Sequence, residues 1–585
     1  MRKIFTIALM LGMSIMAINS SRAQMVDFGG TTMNNDILGW YDLYEMSFTS
    51  HNYGTARTMG MGNAFTALGA DMISASLNPA GIGMYVSNDV SITPMMQFAK
   101  SPTSNATGFY PKNTPKHQQR YKERSDRFGL GSIGGVATAY KGTGAVTNIN
   151  FGFVYNRIAD FNRNTAFASI ANPGTESLAN VFCTLANVDG LTTNSDGRMP
   201  FGNDPFYWGP TLAYKNGLIN KDEQGWFVDR ISPNAEVDQY SAVETRGSLG
   251  EYAISLGFNF KDVVYLGATL GIQSLNYTRT VFYGEDYIYT DEKHPTEDYI
   301  YRPSEDHIYN DENRPSGDVM PYQLTYMNYE QRTRISGTGF NFKIGATIRP
   351  VNWLRIGVAY HTPTYYGLTL RYGADMWSET YSAGDNPEGY DVPADGYMFD
   401  EVSSPIWEDA GPNSWNFRSP SRLLTGVAVT LGKRIIVSAD YERSWYQSTR
   451  LQQSPILGLD YTGQMKEFFK GSNTIRVGAE AYLLPFLPIR VGYIWNGSTL
   501  RKGYEHIVAT HPIPTQQQYV TAGFGIKFSQ TVYMDFAYQY GTTKYSSYQT
   551  FYAIDSEDAD QNIESDLFTT NTNRHIAVMT LGFRF

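Results

Sequence analysis

The chain ends on a strand with two kinds of surface, and its last residue is Phe585. From Arg574 onward, Ala577, Met579, Leu581, Phe583 and Phe585 share one face, while His575, Val578, Thr580, Gly582 and Arg584 are assigned to the other. The segment before it repeats the pattern, with Val532, Met534, Phe536, Tyr538 and Tyr540 set against Asp535, Ala537 and Gln539. An apolar face needs an apolar medium. Apolar residues outside and small or polar residues inside, in a strand that closes the chain, fit a barrel with lipid around it and a wet lumen.

Period-two segments of this kind recur along the chain. They are expected at 86–99, 128–140, 147–157, 251–260, 263–277, 333–348, 352–361, 421–431, 434–446, 472–484, 488–497, 518–528, 531–541 and 573–585. Short connections such as Lys261-Asp262, Gly432-Lys433 and Ser529-Gln530 alternate with long ones, notably 158–250, 278–332 and 362–420. Segregated turn and loop lengths are the pattern of periplasmic turns and extracellular loops. The expected fold is all-β: a 14-stranded antiparallel transmembrane β-barrel, residues 86–585, with an N-terminal hatch in the lumen and large extracellular loops containing short helices. Phe340, Phe342, Ile344 and Ile348, and Val520, Phe524, Ile526 and Phe528, supply lipid-facing rows, and Trp353, Trp495 and Phe528 lie where an aromatic girdle belongs.

Composition narrows the functions. A net charge of −10 provides no basic footprint for nucleic acid. Residues 1–23 read as a secretory signal: Arg2 and Lys3, an apolar run from Ile4 to Ala17, then Ser21-Arg22-Ala23 before Gln24. Cys183 is the single cysteine, so an internal disulfide is excluded. No zinc-protease, serine-elbow or phosphate-loop motif is present, and the letters of Gly129 to Gly134 lack the helix that a dinucleotide site needs. The histidines are scattered without ligand spacing. No enzyme activity, cofactor or metal is therefore expected.

The long loops carry two features. Segments 174–188 and 210–219 have helical spacing, with Thr175 as a cap; their apolar faces either form a lid for a greasy ligand or protein, or pack on each other. Segment 285–316 repeats Glu-Asp-Tyr-Ile-Tyr at 285 and 297 and Glu-Asp-His-Ile-Tyr at 305. Its acids read as a solvated hairpin, or as oxygen ligands for Ca²⁺, though without the spacing of a known calcium loop.

Residues 24–85 lack the strand alternation. Gly54 to Asp71 is rich in small residues and leads into Leu77-Asn78-Pro79-Ala80-Gly81-Ile82-Gly83, which suits a compact plug ahead of the first strand. Here the sequence resembles the FadL/TodX family of outer-membrane transporters for hydrophobic compounds, in its Bacteroidetes-type form. The glycine-punctuated run and Asn78-Pro79-Ala80 carry the resemblance, supported by Asn148 to Arg157 and Leu354 to His361. It implies passive uptake of long-chain fatty acids or other hydrophobic compounds, by hatch rearrangement and lateral release into the bilayer. Implied gating residues are Arg57, Asp71, Asn78, Pro79, Ala80 and Gly81, with Asp440, Glu442 and Arg355 as candidate lumen partners of the two charges. Lateral opening is implied at a kink in the third strand, where Gly152 is the candidate; a plain lumen-facing glycine is its other reading. Implied partners are a fatty acid-like molecule and outer-membrane lipid. Other outer-membrane proteins are the partners under an alternative role as an accessory or scaffold subunit, resembling secretion shuttles or barrel-assembly partners.

Overall fold

The computed structural model describes residues 26–28, 31–33, 40–47, 52–103, 124–188, 208–222, 224–229, 231, 235–289, 322–382, 398–402, 414–432, 434–452, 461–502, 512–555 and 563–585. Antiparallel strands close on themselves into a 14-stranded barrel. In chain order they are β1 (Asp89–Lys100), β2 (Arg124–Lys141), β3 (Val146–Asp160, continued by Arg163–Pro173), β4 (Ala235–Phe260), β5 (Val264–Tyr289), β6 (Tyr322–Val351) and β7 (Leu354–His361, continued by Tyr365–Ser382). The second half comprises β8 (Ser414–Arg418 and Arg422–Leu431), β9 (Ile435–Trp445 and Arg450–Gln452), β10 (Gly471–Leu484), β11 (Leu487–Asn496), β12 (Pro514–Lys527), β13 (Val532–Tyr545) and β14 (Asn571–Arg584). Closure is made by β14 on β1, with Phe583 opposite Val90 and Asn573 opposite Lys100. A closed ladder leaves no unpaired edge to lipid.

The alternation sorts side chains as a membrane requires. On β6, Phe340, Phe342, Ile344 and Ile348 are exposed, whereas Asn341, Lys343 and Thr347 between them are buried in the lumen. His575 departs from its assignment: it lies outward, its Nδ1 2.5 Å from the Tyr538 hydroxyl and its ring 5.0 Å from that of Tyr540. These rings form an interfacial aromatic group, with Trp353 and Phe528 exposed at the periplasmic end. At the β4–β5 turn, residues 261–263, Lys261 and Asp262 both take positive φ (50° and 57°), the Val263 N–H donates to Phe260 O at 3.0 Å, and Asn259 exchanges hydrogen bonds with Asp262.

The expected strands are all present, and their periplasmic ends fall close to the expected positions. Their extracellular ends do not. β4 and β5 have 26 residues each and β6 has 30, where a membrane crossing takes about 9–11. Much of 158–250 and 278–332 is thus barrel wall rather than loop. Lipid-facing alternation stops at the membrane surface, but backbone pairing needs no lipid and continues.

Above the membrane, the wall encloses a hydrophobic core. Helix Leu178–Val188, preceded by the short turn Gly174–Glu176, and helix Trp208–Lys215 bury Val181, Phe182, Leu185 and Leu212 in it. The Phe182 and Tyr329 rings meet edge-on at 5.7 Å. The two helices thus cover their apolar faces. Ser177, not Thr175, caps the first: its Oγ accepts from the Ala179 N–H. Cys183 is buried there as a small apolar residue.

The N-terminal segment is divided. Val26–Phe28 pairs with Thr31–Met33, which pairs with Tyr552–Asp555 in the β13–β14 connection, at the extracellular end. Helix Trp40–Ser47 sits in the mouth: Tyr44 is fully buried, stacked on Phe469 at 4.5 Å, and Asp42 pairs with Arg279 at 3.3 Å. Only from Asn52 to Tyr85 does the chain fill the lumen at membrane level. The hatch expected over 24–85 is therefore an extracellular sheet, a mouth helix and a shorter plug. The chain threads its own barrel from outside to inside before β1 begins.

Candidate functional site

The plug contains helix Ala56–Gly60 and two 3₁₀ turns, Met72–Ala75 and Pro79–Met84. Each has a polar residue at its start: Thr55, Asp71 and Asn78 accept from Thr58, Ile73 and Ala80 N–H groups respectively. Pro79 occupies the first position of its turn, where a missing N–H costs nothing. Nearly every residue from Asn52 to Gly83 is buried, so its backbone polar groups need partners.

The wall supplies them. Asn150 donates to the Ile82 and Tyr85 carbonyls at 2.8 Å each, His361 Nε2 to Leu77 O at 2.8 Å, and Arg355 to Leu68 O at 2.9 Å. Plug N–H groups donate outward, Ala56 to Thr580 Oγ1 (2.7 Å), Gly62 to Thr521 Oγ1 (3.1 Å) and Thr66 to Asp440 Oδ2 (2.8 Å).

Close approach is made possible by lumen-facing glycines set in rows across the strands. Gly257, Gly267 and Gly345 stand opposite one another on β4, β5 and β6, under the turn from Asn78 to Gly83. Gly357 faces Gly426 across β7 and β8, under Thr66. Gly478 faces Gly492 across β10 and β11, under Met61 and Gly62. A Cβ at Gly267 would collide with the Pro79 carbonyl, and one at Gly492 with the Gly62 nitrogen. The wall is hollowed to the shape of the plug's backbone.

The candidate gating residues fall into this lock. Asn78 Nδ2 donates to Thr66 O (2.5 Å) and Thr347 Oγ1 (3.1 Å), tying the second half of the plug to the first and to β6. Ala80 and Gly81 are buried behind it, and the Ala70 N–H donates to Gly81 O at 3.0 Å. Arg57 and Asp71 have partners other than those anticipated. Arg57 pairs with Glu480 at 3.4 Å, and Asp71 accepts from Thr55 Oγ1 at 2.9 Å. Of the anticipated partners, Asp440 takes the Thr66 N–H, Arg355 a plug carbonyl, and Glu442 the wall arginines Arg476 (2.6 Å) and Arg422 (3.4 Å). Glu480 is shared with Arg490 (2.6 Å), which also reaches Asp535 (2.6 Å). Glu251 binds Lys343 and accepts from plug Ser76 at 2.8 Å. These inward charges were missed because alternation identifies a lumen face without indicating which strand's residue will meet which.

Gly152 is not at a kink. It pairs in register with Val136 and Ser255, and a Cβ there would point at plug residue Ile82 from 3.6 Å. It is a lumen-facing glycine in a regular strand. The irregularity of β3 lies further up. Its ladder to β2 ends at Ser132–Asn156, its register to β4 shifts between Arg157 and Ala159, and the strand breaks at Phe161–Asn162. Among the described residues, no ladder joins Arg124–Gly131 of β2 to β3. Side chains bridge the seam: Arg157 Nε donates to Leu130 O (3.1 Å) and Asn164 to Arg124 O (3.1 Å). Asp160 holds Arg157 at 2.8 Å, lies 4.0 Å from Arg127, and accepts from Gln97 (3.1 Å) and Asn162.

Behind the seam lies a cavity of about 50 Å³, lined by Tyr53, Asp160, Phe161, Arg163, Tyr519 and Arg574 among others. Two others, near Lys343 with Arg422 and near Asp71 with Arg584, measure about 20 and 10 Å³. All three are water-sized. A ligand pocket usually needs about 300–1,000 Å³.

A closed antiparallel barrel with an apolar outside and a polar, plugged lumen defines an outer-membrane barrel protein. Among solved structures, the chain is similar to a Pseudomonas aeruginosa FadL homologue (13% identity, TM-score 0.46, 92% of this chain and 98% of the other). It is also similar to the CymD monoaromatic hydrocarbon channel (12%, 0.45, 92% and 99%) and the P. putida toluene transporter TodX (10%, 0.45, 92% and 99%). No protein-family model and no curated protein matches it.

Proposed function

We propose that this chain is a FadL-like outer-membrane channel for passive uptake of long-chain fatty acids or other hydrophobic compounds, with hatch rearrangement and lateral release. The observation that carries the reading is the seam between β2 and β3, where side chains replace a ladder in a wall that, among the described residues, is otherwise closed by hydrogen bonds. A backbone ladder costs several bonds to open at once, whereas the Arg157–Leu130 and Arg127–Asp160 links across the seam can exchange partners singly. An apolar solute leaving there stays out of water, where each exposed CH₂ costs about 0.8 kcal/mol. Asn78, Pro79, Ala80, Gly81, Arg57 and Asp71 gate in this reading, and the water-sized cavities belong to its closed state. The lateral exit moves from Gly152 to Arg157–Asn162.

The test places Arg127→Cys and Asp160→Cys on either side of the seam and joins them with a short bis-maleimide. Uptake of a fluorescent fatty acid and of toluene should fall to the level of cells lacking the protein, and the unlinked double variant should retain it. Unchanged uptake of both by the cross-linked protein would sink lateral release.

A second reading, as accessory or scaffold subunit, draws on the extracellular structure, whose helices cover their apolar faces rather than presenting a groove. Native mass spectrometry of gently extracted protein separates the two. A bound apolar molecule on a lone barrel supports the channel; a stoichiometric protein partner without one supports the scaffold.

A further inference from the structure

The outer aromatic girdle continues into arginines. Tyr155, Tyr252, Ile272, Phe340 and Tyr365 stand opposite one another on the outward face from β3 to β7, with the Tyr155 and Tyr252 rings 5.2 Å apart. The next two members of this row are Arg418 on β8 and Arg450 on β9, directly opposite each other. Arg418 lies over the Tyr365 ring at 5.8 Å, and its Nε lacks an acceptor. Farther out on the same face, Arg334 of β6 and Arg371 of β7 form a second opposed pair, both exposed. Like charges directly opposite on a ladder repel. Neighbouring outward arginines are relieved by an acid on their own strand, Arg246 by Glu244 and Arg332 by Glu330 (3.0 Å). Arg334, Arg371, Arg418 and Arg450 form no ion pair among the described residues. Each pair offers two planar forks, which suit phosphate or carboxylate oxygens. Because the lower pair continues the girdle, a lipid headgroup lies against it. The upper pair is six residues farther along, from Phe340 to Arg334 and from Tyr365 to Arg371. That is roughly 20 Å of strand, or about 14 Å of height at a tilt of about 45°. A phospholipid headgroup layer is only about 5–8 Å deep, so the upper pair is in reach of a saccharide chain and out of reach of a simple headgroup.

We propose that the outer face of β6–β9 binds a phosphorylated glycolipid of the outer leaflet, the Arg418–Arg450 pair taking its lipid-level phosphate and the Arg334–Arg371 pair the anionic groups of its saccharide. The site follows from the barrel's place in an outer membrane and is independent of what crosses the lumen. It fixes the glycolipid beside the strands that frame the extracellular core.

Native mass spectrometry of the full protein in nonionic detergent tests this by titration with three lipids: phosphatidylglycerol, diphosphorylated lipid A, and the same lipid A extended by two acidic sugars. The wild type should bind extended lipid A at least tenfold more tightly than phosphatidylglycerol. Arg418→Gln with Arg450→Gln should weaken both forms of lipid A at least tenfold. Arg334→Gln with Arg371→Gln should bring the extended form down to the level of plain lipid A and leave plain lipid A unchanged. Equal binding of phosphatidylglycerol and extended lipid A by the wild type overturns the site, and this comparison needs no variant to fold. Wild-type affinity for extended lipid A in the variant lacking all four arginines overturns it as well, by placing the lipid on another surface. A dimer that is lost in that variant, in a protein with no preference for glycolipid, reassigns the face to a second copy of the chain.

Discussion

Glu285 illustrates how one side chain organises its surroundings. It begins the first Glu-Asp-Tyr-Ile-Tyr unit, yet it is fully buried above the membrane rather than solvated. Ser177, Gln239, Tyr283 and Tyr287 donate to it, as does the Leu178 N–H at 2.9 Å, so it holds the start of helix Leu178–Val188 against β5. Asp286 accepts from Tyr240. The other two repeat units lie outside the described residues. Burial raises the Glu285 carboxyl above its ordinary 4.5, the hydrogen bonds opposing this only in part. A raised folded value means that the folded state binds the proton more tightly. The extracellular core should therefore gain stability as pH falls through that value toward 4.5 and lose it as pH rises. Hydrogen exchange of helix Leu178–Val188 should show this trend in the wild type, and Glu285→Gln should flatten it; an unchanged trend in the variant would assign it to another group. In the lumen, Arg57→Ala leaves Glu480 with one cation fewer. Loss of one partner from a buried pair costs roughly 3–5 kcal/mol, and here Arg490 offsets part of it. The expected result is a looser plug, measured as faster exchange over 56–60 with the barrel ladders unchanged.

The glycine rows and the plug form one device. Plug backbone can lie directly on the wall only where wall side chains are absent, so Gly257, Gly267 and Gly345 determine where the Asn78–Gly83 turn sits. Gly267→Val should displace that turn while leaving the β4–β5–β6 ladders intact. Raised single-channel conductance, or sensitivity of cells to large antibiotics, would register the displaced plug; wild-type conductance would show that the fit tolerates a side chain. Asn78→Ala removes the cap on Ala80 and the bonds to Thr66 and Thr347, and should produce a milder form of the same leak. Cap loss alone is worth about 1 kcal/mol.

Across the whole molecule, the threaded N-terminal segment has a topological consequence. The plug is held at its upper end by a sheet shared with Tyr552–Asp555 and at its lower end by β1. Under the proposed channel function, opening is then rearrangement within the lumen rather than ejection into the periplasm. Thr32→Cys on intact cells should react with a membrane-impermeant maleimide, and Lys261→Cys in a periplasmic turn should not. Cys183 is buried and leaves the background low. Labelling of both or of neither would refute the threading.

The alternation of Met579, Leu581 and Phe583 against Val578, Thr580 and Gly582 was legible because a side-chain period of two depends only on the backbone and on the medium beside each face. The barrel, its orientation and the small-residue plug run follow from such local information. Partner choice does not. Arg57 meets Glu480, separated by hundreds of residues, because strand order brings β10 under the plug. The seam at Arg157–Asn162 has no local mark, since it consists of a ladder that β3 fails to make with β2, and pairing is a property of two strands. Gly152 attracted the kink because glycine is permissive, yet it sits in a regular ladder facing Ile82, where a Cβ would make only ordinary contact.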